Sequence, residues 1–384
     1  MNTVILVAGT RPEAIKVAPV ATAMTASAHL RPHLVTTGQH ADLAPVALAE
    51  LGVAADEEHT VGEADRASQH RLLAAVVDAL TRVVAEQRAA AILVQGDTVS
   101  AFAGALAGLW TKTPVVHLEA GLRSGDLHQP FPEEAYRRQI AVLAALHLAP
   151  TRAAVANLLA EGVDPATVVC IGNTVIDAAQ AIGRGALPPH LAVPPGARRL
   201  LVTTHRRENW GEPLAGILDA VRRLADDVTD LDVVIPVHPN PIVHDVVHRL
   251  LGDHPRITLL DPVPYGELVG LLATSTLVLT DSGGIQEEAP TFGVPTLVLR
   301  EVTERTEAVD AGCSLLVGTD GERIHAAAHR LLTDEGARQA MARVANPFGD
   351  GKAAARTVDA ITHLLGHGPA PVPWEPPEAR AADR

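Results

Sequence analysis

Short apolar runs alternate with longer helical patterns along almost the whole chain, and this alternation limits the fold more than any other feature. In the first half, residues 3–8, 33–37, 91–95, 114–118, 146–149 and 167–171 read as strands. Helical patterns near 13–27, 40–51, 65–88, 98–110, 133–145, 151–160 and 174–184 separate them. A strand–helix–strand repeat builds a mostly parallel sheet with helices on both faces. RGALPPHLAVPPGARR (184–199) interrupts the repeat with prolines and glycines and no periodicity, which predicts a linker. The alternation then restarts, with strands at 199–204, 232–237, 256–260, 276–280, 295–299 and 313–317 and a final helical pattern at 352–366. At 384 residues the chain exceeds one ordinary core. The expectation is α/β, two doubly wound domains (1–185 and 186–351) with a ligand cleft between them. A Pro-rich segment, 367–384, reads as a disordered tail.

Composition removes several classes of function. A net charge of −14 argues against a nucleic-acid or anionic-membrane binder, which needs a basic footprint. Cys170 and Cys313 form no CxxC pair, so no disulfide framework is expected. No apolar run reaches the roughly 18 residues that span a bilayer. The opening TVILVAG lacks a basic region, which predicts no secretory signal and a cytoplasmic protein. Aromatic residues make up 2% of the chain, leaving the packing to Ala, Val and Leu.

In doubly wound sheets, ligands sit beyond the carboxyl ends of the strands, so strand-end residues carry the functional argument. GTRPEAIK (9–16) combines a capping-box spacing at Thr10 and Glu13 with two cations, Arg11 and Lys16, in the opening turns. Arg11 opposes the helix dipole there, and an anion site explains it better than solvated charges do. Asp97 in GDTVSA (96–101) is either a helix N-cap or a functional acid. Glu119 ends the next strand, and PFPEEAYRR (130–138) sets Glu133 and Arg137 at i, i+4. That pair is either a surface salt bridge or part of an acid–base set with Asp97 and Glu119. His205 lies in VTTHRRENWGEP (202–213), directly after the first strand past the linker. TDSGGIQEEAP (280–290) places Ser282, Gly283 and Gly284 at a helix start, a recipe for an anion site. Glu287 and Glu288 follow within the next turn and a half, an unexpected neighbour for an anion. His238, His244 and His248 imitate a zinc-protease motif, but Asp stands where that motif needs Glu. They read as a solvated helix face, and no metal is expected.

GTRPEAIK, GDT, HLEAGLRSGD, PFPEEAYRR, GNTVIDA (172–178), HRREN, DSGGIQEEAP, RTEAV (305–309) and NPFGDG (346–351) together resemble the non-hydrolysing UDP-N-acetylglucosamine 2-epimerases. The resemblance covers residues 1 to about 366, in order and with compatible spacing. It implies the GT-B fold, two Rossmann-like domains with helix 352–366 returning to the first, and a homodimer without metal or nicotinamide cofactor. The implied reaction interconverts UDP-N-acetylglucosamine and UDP-N-acetylmannosamine. By resemblance, Asp97, Glu119 and Glu133 are the catalytic carboxylates and His205 the diphosphate-side histidine. Ser282, Gly283 and Gly284 would donate to the diphosphate, and Glu288 would accept both ribose hydroxyls. Arg11 and Arg305 fall on the nucleotide side, with Lys16 and Arg137 also expected to bind substrate. The backbone around Val263 and Leu268 would hold the uracil, and Glu287 is left as a surface or helix-packing residue.

The chain departs from the family in places. Allosteric members often carry a Gln-His-Arg-Gln-type run where this chain reads QHAD (39–42), keeping Gln39. GDTVSA replaces a more threonine-rich stretch. Three alternatives stay open: a hydrolysing 2-epimerase releasing N-acetylmannosamine, a UDP-sugar glycosyltransferase on the same fold, and a catalytically dead UDP-sugar-binding protein.

Overall fold

The structure is a computed structural model that describes residues 1–40, 42–183 and 187–375. It divides into two compact units at Ala181/Ile182, and the chain rejoins the first unit at Phe348.

The first unit carries strands β1 (Asn2–Ala8), β2 (Leu30–Thr36), β3 (Glu57–Glu58), β4 (Ala91–Gln95), β5 (Val115–Leu118), β6 (Leu146–Ala149) and β7 (Val168–Cys170). They form one parallel sheet in the order β3-β2-β1-β4-β5-β6-β7. Its helices are α1 (Arg11–Thr25), α2 (Leu43–Glu50), α3 (Glu63–Arg66), α4 (Gln69–Glu86), α5 (Val99–Thr111), α6 (Glu133–Leu143), α7 (Arg152–Ala160) and α8 (Thr174–Ile182). The second unit carries β8 (Arg198–Thr203), β9 (Leu231–Pro236), β10 (Ile257–Leu260), β11 (Leu277–Thr280), β12 (Thr296–Val298) and β13 (Ser314–Leu316). These are also parallel, in the order β10-β9-β8-β11-β12-β13. Its helices are α9 (Glu212–Asp227), α10 (Pro241–Leu251), α11 (Tyr265–Ala273), α12 (Gly283–Glu288), α13 (Thr306–Ala311), α14 (Gly321–Thr333) and α15 (Glu335–Ala342).

Both sheets reverse direction once. The chain builds outward from β1 through β2 and β3, then resumes on the other side of β1 with β4. In the second unit the same reversal falls between β8 and β11. Such a reversal opens a crevice at the carboxyl edge of the sheet, because the two flanking connections run to opposite faces.

Small residues solve the packing problem that scarce aromatics pose. Along α5, Ala101, Ala103, Ala105 and Ala107 are buried. A Cβ at Gly104 would stand 2.5 Å from Val94 Cγ1, and one at Gly108 2.5 Å from Val115 Cγ2. The helix therefore sits close on β4 and β5, and a larger residue at either glycine forces it away.

Helix α16 (Ala353–Leu364) belongs to the first unit. Its own N-cap, Lys352, gives no capping side chain. The Asp177 carboxylate on α8 does that work, accepting from Ala353 N at 3.2 Å and Ala354 N at 2.9 Å. Beyond α16 the described coil reaches Glu375, and Trp374 is 6% exposed, its backbone N donating to Cys170 O at 2.7 Å. The rest of the expected tail, 376–384, and linker residues 184–186 lie outside the described residues. Asp177→Ala leaves the start of α16 uncapped. We expect a loss of about 1–2 kcal/mol in a urea unfolding experiment, the scale for a lost helix cap.

Candidate active site

The crevice of the first unit begins where β1 gives way to α1. Thr10 is the N-cap, and the Glu13 carboxylate turns back to accept from Thr10 N at 2.7 Å and Gly9 N at 3.0 Å. Its other oxygen accepts from Thr98 Oγ1 at 2.6 Å, so one buried carboxyl joins the starts of α1 and α5. Burial pushes the Glu13 pKa up to about 7, against the opposing pull of hydrogen bonds from Thr98, Thr10 and Gly9. Gly9 is required by this close approach: a Cβ there would lie 1.9 Å from Ser100 Oγ.

Thr98, not Asp97, caps α5, accepting from Ala101 N at 3.0 Å. Asp97 is released from the capping role and pairs with Arg137 on α6, through Nε at 3.0 Å and through Nη2. Glu119 follows β5 and pairs with Lys16 on α1 while also accepting from Gln95 Nε2. Its backbone φ is +64°, a left-handed conformation that side-chain-bearing residues adopt at a cost. Lys16, Asp97, Glu119 and Arg137 thus line one pocket of about 190 Å³, together with Gln95 and Glu13. Arg11 begins α1 half-buried, outside that lining.

The i, i+4 pair of Glu133 with Arg137 does not form. Glu134 takes Arg137 Nη1 at 3.2 Å, Arg138 Nε at 2.9 Å and Ser124 N at 3.0 Å. Glu134 is fully buried, and despite burial these bonds and charges hold its carboxyl below the usual range. Glu133 opens the same helix half-buried, and its Oε2 is buried without a hydrogen-bond partner. It is not in the pocket lining. Beneath the pocket, His117 on β5 makes a 2.8 Å contact through Nε2 with Gly96 O, the residue before Asp97. Burial pushes its pKa down to about 3, so the ring is neutral and Nε2–H is the donor.

In the second unit the crevice lies between the ends of β8 and β11, where Thr203 and Thr280 hydroxyls meet at 2.6 Å. Asp281 is fully buried. It accepts from His205 N at 3.1 Å, Arg206 N at 3.0 Å and Asn209 Nδ2 at 3.0 Å, and contacts His205 Nδ1 at 2.9 Å. Burial alone would raise its pKa, but the His205 and Arg206 interactions hold it below the usual Asp range. Ser282 occupies the N-cap position of α12 without a side-chain capping bond, and its backbone N donates to Thr280 Oγ1 at 2.9 Å. Gly283 and Gly284 follow it in the first turn, where helix N–H groups have no intrahelical partner. A Cβ at Gly283 would lie 2.9 Å from the Arg305 guanidinium carbon, so only glycine allows that approach. Glu287 is buried rather than on the surface, and its Oε1 accepts from Arg305 Nε at 2.9 Å. Glu288 Oε1 lies 3.6 Å from the position of a Gly284 Cβ, on the same helix face as the opening glycines. Val263 and Leu268 pack on the apolar cluster around Leu271 and Val278. Leu268 N donates to Pro264 O in the opening turn of α11. His244 and His248 meet on α10 with ring centroids 4.1 Å apart and ring planes tilted by 34°.

Sequence reasoning left Gln95, Glu134 and Asp281 without roles. Gln95 was legible as a polar residue closing the apolar run AILV, and Asp281 as the first residue past LVLT.

A parallel, doubly wound pair of units with this crevice chemistry matches known proteins. The UDP-N-acetylglucosamine 2-epimerase family matches residues 22–362. The Escherichia coli K12 UDP-N-acetylglucosamine 2-epimerase is 40% identical over 368 residues, covering 93% of this chain and 98% of that protein. Among solved structures, the S. aureus MnaA–UDP complex superposes with TM-score 0.89 at 38% identity, covering 98% of this chain and all of that one. The Neisseria meningitidis UDP-GlcNAc 2-epimerase bound to UDP-GlcNAc gives TM-score 0.85 at 36% identity, covering 94% and 100%. The chain belongs to the UDP-N-acetylglucosamine 2-epimerase family, and its fold class is GT-B.

Glu13 gives the first unit a pH signature. Its native pKa of about 7 stands above the 4.5 of an exposed Glu. The stability it supports is full below the unfolded value and declines as pH rises toward 7. Glu13→Gln removes that titration. Its urea midpoint should vary less than the wild-type midpoint between pH 4.5 and 7, and equal slopes would return Glu13 to an ordinary pKa.

Proposed function

We propose that the protein is a non-hydrolysing UDP-N-acetylglucosamine 2-epimerase, interconverting UDP-N-acetylglucosamine and UDP-N-acetylmannosamine. The observation that carries this reading is the meeting of Asp97 and Glu119 with Arg137 and Lys16 in one pocket of a chain of this family. The C2 proton of the sugar is not beside a carbonyl, so no carboxylate removes it unaided. Breaking C1–O first releases UDP and gives an oxocarbenium-like centre. The adjacent C2 proton then becomes acidic, and its loss leaves 2-acetamidoglucal. Protonation on the opposite face of C2, with UDP adding back at C1, gives the epimer.

That sequence needs acid–base groups at C2 and stabilisation of the leaving diphosphate. Asp97, Glu119 and Glu133 are assigned to the first task, with Lys16 and Arg137 supporting the carboxylates and substrate. Ser282, Gly283, Gly284, His205, Arg11 and Arg305 are assigned to the diphosphate side, Glu288 to the ribose hydroxyls, and the backbone around Val263 and Leu268 to the uracil. The homodimer implied by the family resemblance, and a cytoplasmic location, belong to the same reading.

Incubation with UDP-N-acetylglucosamine in D₂O should place deuterium at C2 of both product and recovered substrate, without added cofactor. Free N-acetylmannosamine accumulating with UDP would instead make the enzyme a hydrolase. Asp97→Asn, Glu119→Gln and Glu133→Gln should each lower kcat by roughly 100-fold or more, the scale of a general acid–base role. Near-normal turnover in Glu133→Gln would remove that residue from the chemistry.

Glu288 offers a contrasting outcome. A ribose contact persists from ground state to transition state, and uniform binding of that kind acts on KM rather than kcat. Glu288→Gln weakens a charge-assisted bond, so a loss of about 1–3 kcal/mol should appear as raised KM and weaker UDP binding. A collapse of kcat with unchanged UDP affinity would move Glu288 into the chemistry.

A further inference from the structure

We propose that Asp281 is the positioning residue for His205, fixing its ring so that Nδ1 carries a proton toward the Asp281 carboxylate and Nε2 faces outward as the working atom. This rests on the reading that His205 serves the leaving diphosphate. The ring contacts Asp281 Oδ1 at 2.9 Å through Nδ1, and its side chain is 48% exposed while that of Asp281 is fully buried. Among the described residues, every other group on this carboxylate is an N–H donor: His205 N, Arg206 N and Asn209 Nδ2. The Arg206 guanidinium goes to the Asp281 backbone carbonyl, Nε to O at 3.0 Å, and not to the carboxylate. Among the described residues, the His205 ring is thus the one ionisable group paired with the Asp281 side chain.

The chemistry follows from these partners. An ionised carboxylate has no proton to give, so the nitrogen that faces it must carry one. A neutral His205 is then the Nδ1–H tautomer, with a bare Nε2. A charged His205 donates from Nε2, with the imidazolium charge balanced by Asp281 on its far side. The same carboxylate holds the backbone of His205 and Arg206, so ring tautomer and ring position share one determinant. Because β11 ends at Thr280, Asp281 brings this determinant to the switch point itself, next to Ser282.

Two measurements test the assignment. In ¹⁵N-histidine-labelled wild-type protein, the His205 signal, identified by its loss in His205→Gln, should report the Nδ1–H tautomer of the neutral ring. An Nε2–H tautomer overturns the proposal, and this readout does not depend on a variant folding. In kinetics, Asp281→Asn should lower kcat about 10- to 100-fold, below the roughly 100- to 10,000-fold that a general acid itself is worth because Asp281 acts only through His205, with KM for UDP-N-acetylglucosamine changed less than about threefold. Adding Asp281→Asn to His205→Gln should cost nothing further, because a residue acting through another has no separate effect. An additional loss in the double variant overturns the proposal and makes Asp281 a brace for the 205–209 turn. Normal turnover in His205→Gln alone instead removes the reading of His205 itself, and the proposal with it.

Discussion

The Glu13 carboxyl is the joint on which the first unit's crevice is built. β1 and β4 are neighbours in a parallel sheet, so their carboxyl ends arrive side by side and must send the chain into α1 and α5 on opposite faces. Two helix starts with their unsatisfied N–H groups therefore crowd one place. Glu13 takes Gly9 N and Thr10 N with one oxygen and the Thr98 hydroxyl with the other. The position of Asp97, one residue before Thr98, depends on that joint. So does the line along α1 that carries Lys16, one turn beyond Glu13, to Glu119.

The two crevices use the same topology for different electrostatics. In the first unit the two pocket carboxylates each meet a long cation from a helix, Arg137 for Asp97 and Lys16 for Glu119. In the second unit the strand-end carboxylate, Asp281, is fully buried and, among the described residues, receives N–H donors alone, with Ser282, Gly283 and Gly284 next in the chain. On the proposed reading, an acid–base pocket and an anion-binding helix start are what elimination and re-addition of a diphosphate require in turn.

Most strands were legible because a strand buried on both faces is an uninterrupted apolar run, as in VILVA and AILV. β3 was not, since Glu57–Glu58 is a charged edge pairing with β2 and carries no apolar signal. The 65–88 pattern ran through the break at Ala67 and Ser68 that separates α3 from α4. At the site, strand-end residues were readable by position, but their partners were not. Lys16 and Glu119 stand 103 residues apart, and only the packing of α1 against the sheet brings them together. Glu133 and Glu134 show a finer limit. Either spacing to the arginines suits a helix, and the choice fell to Ser124 N, a loop donor that favours Glu134.

The backbone of Glu119 carries one more consequence. At φ +64° a glycine or asparagine would rest more easily than a glutamate. Either replacement would relieve the backbone and at the same time take from Lys16 and Gln95 the acceptor they share. One peptide link is thus held in an unfavourable conformation by the two side chains, from α1 and β4, that its carboxylate ties together.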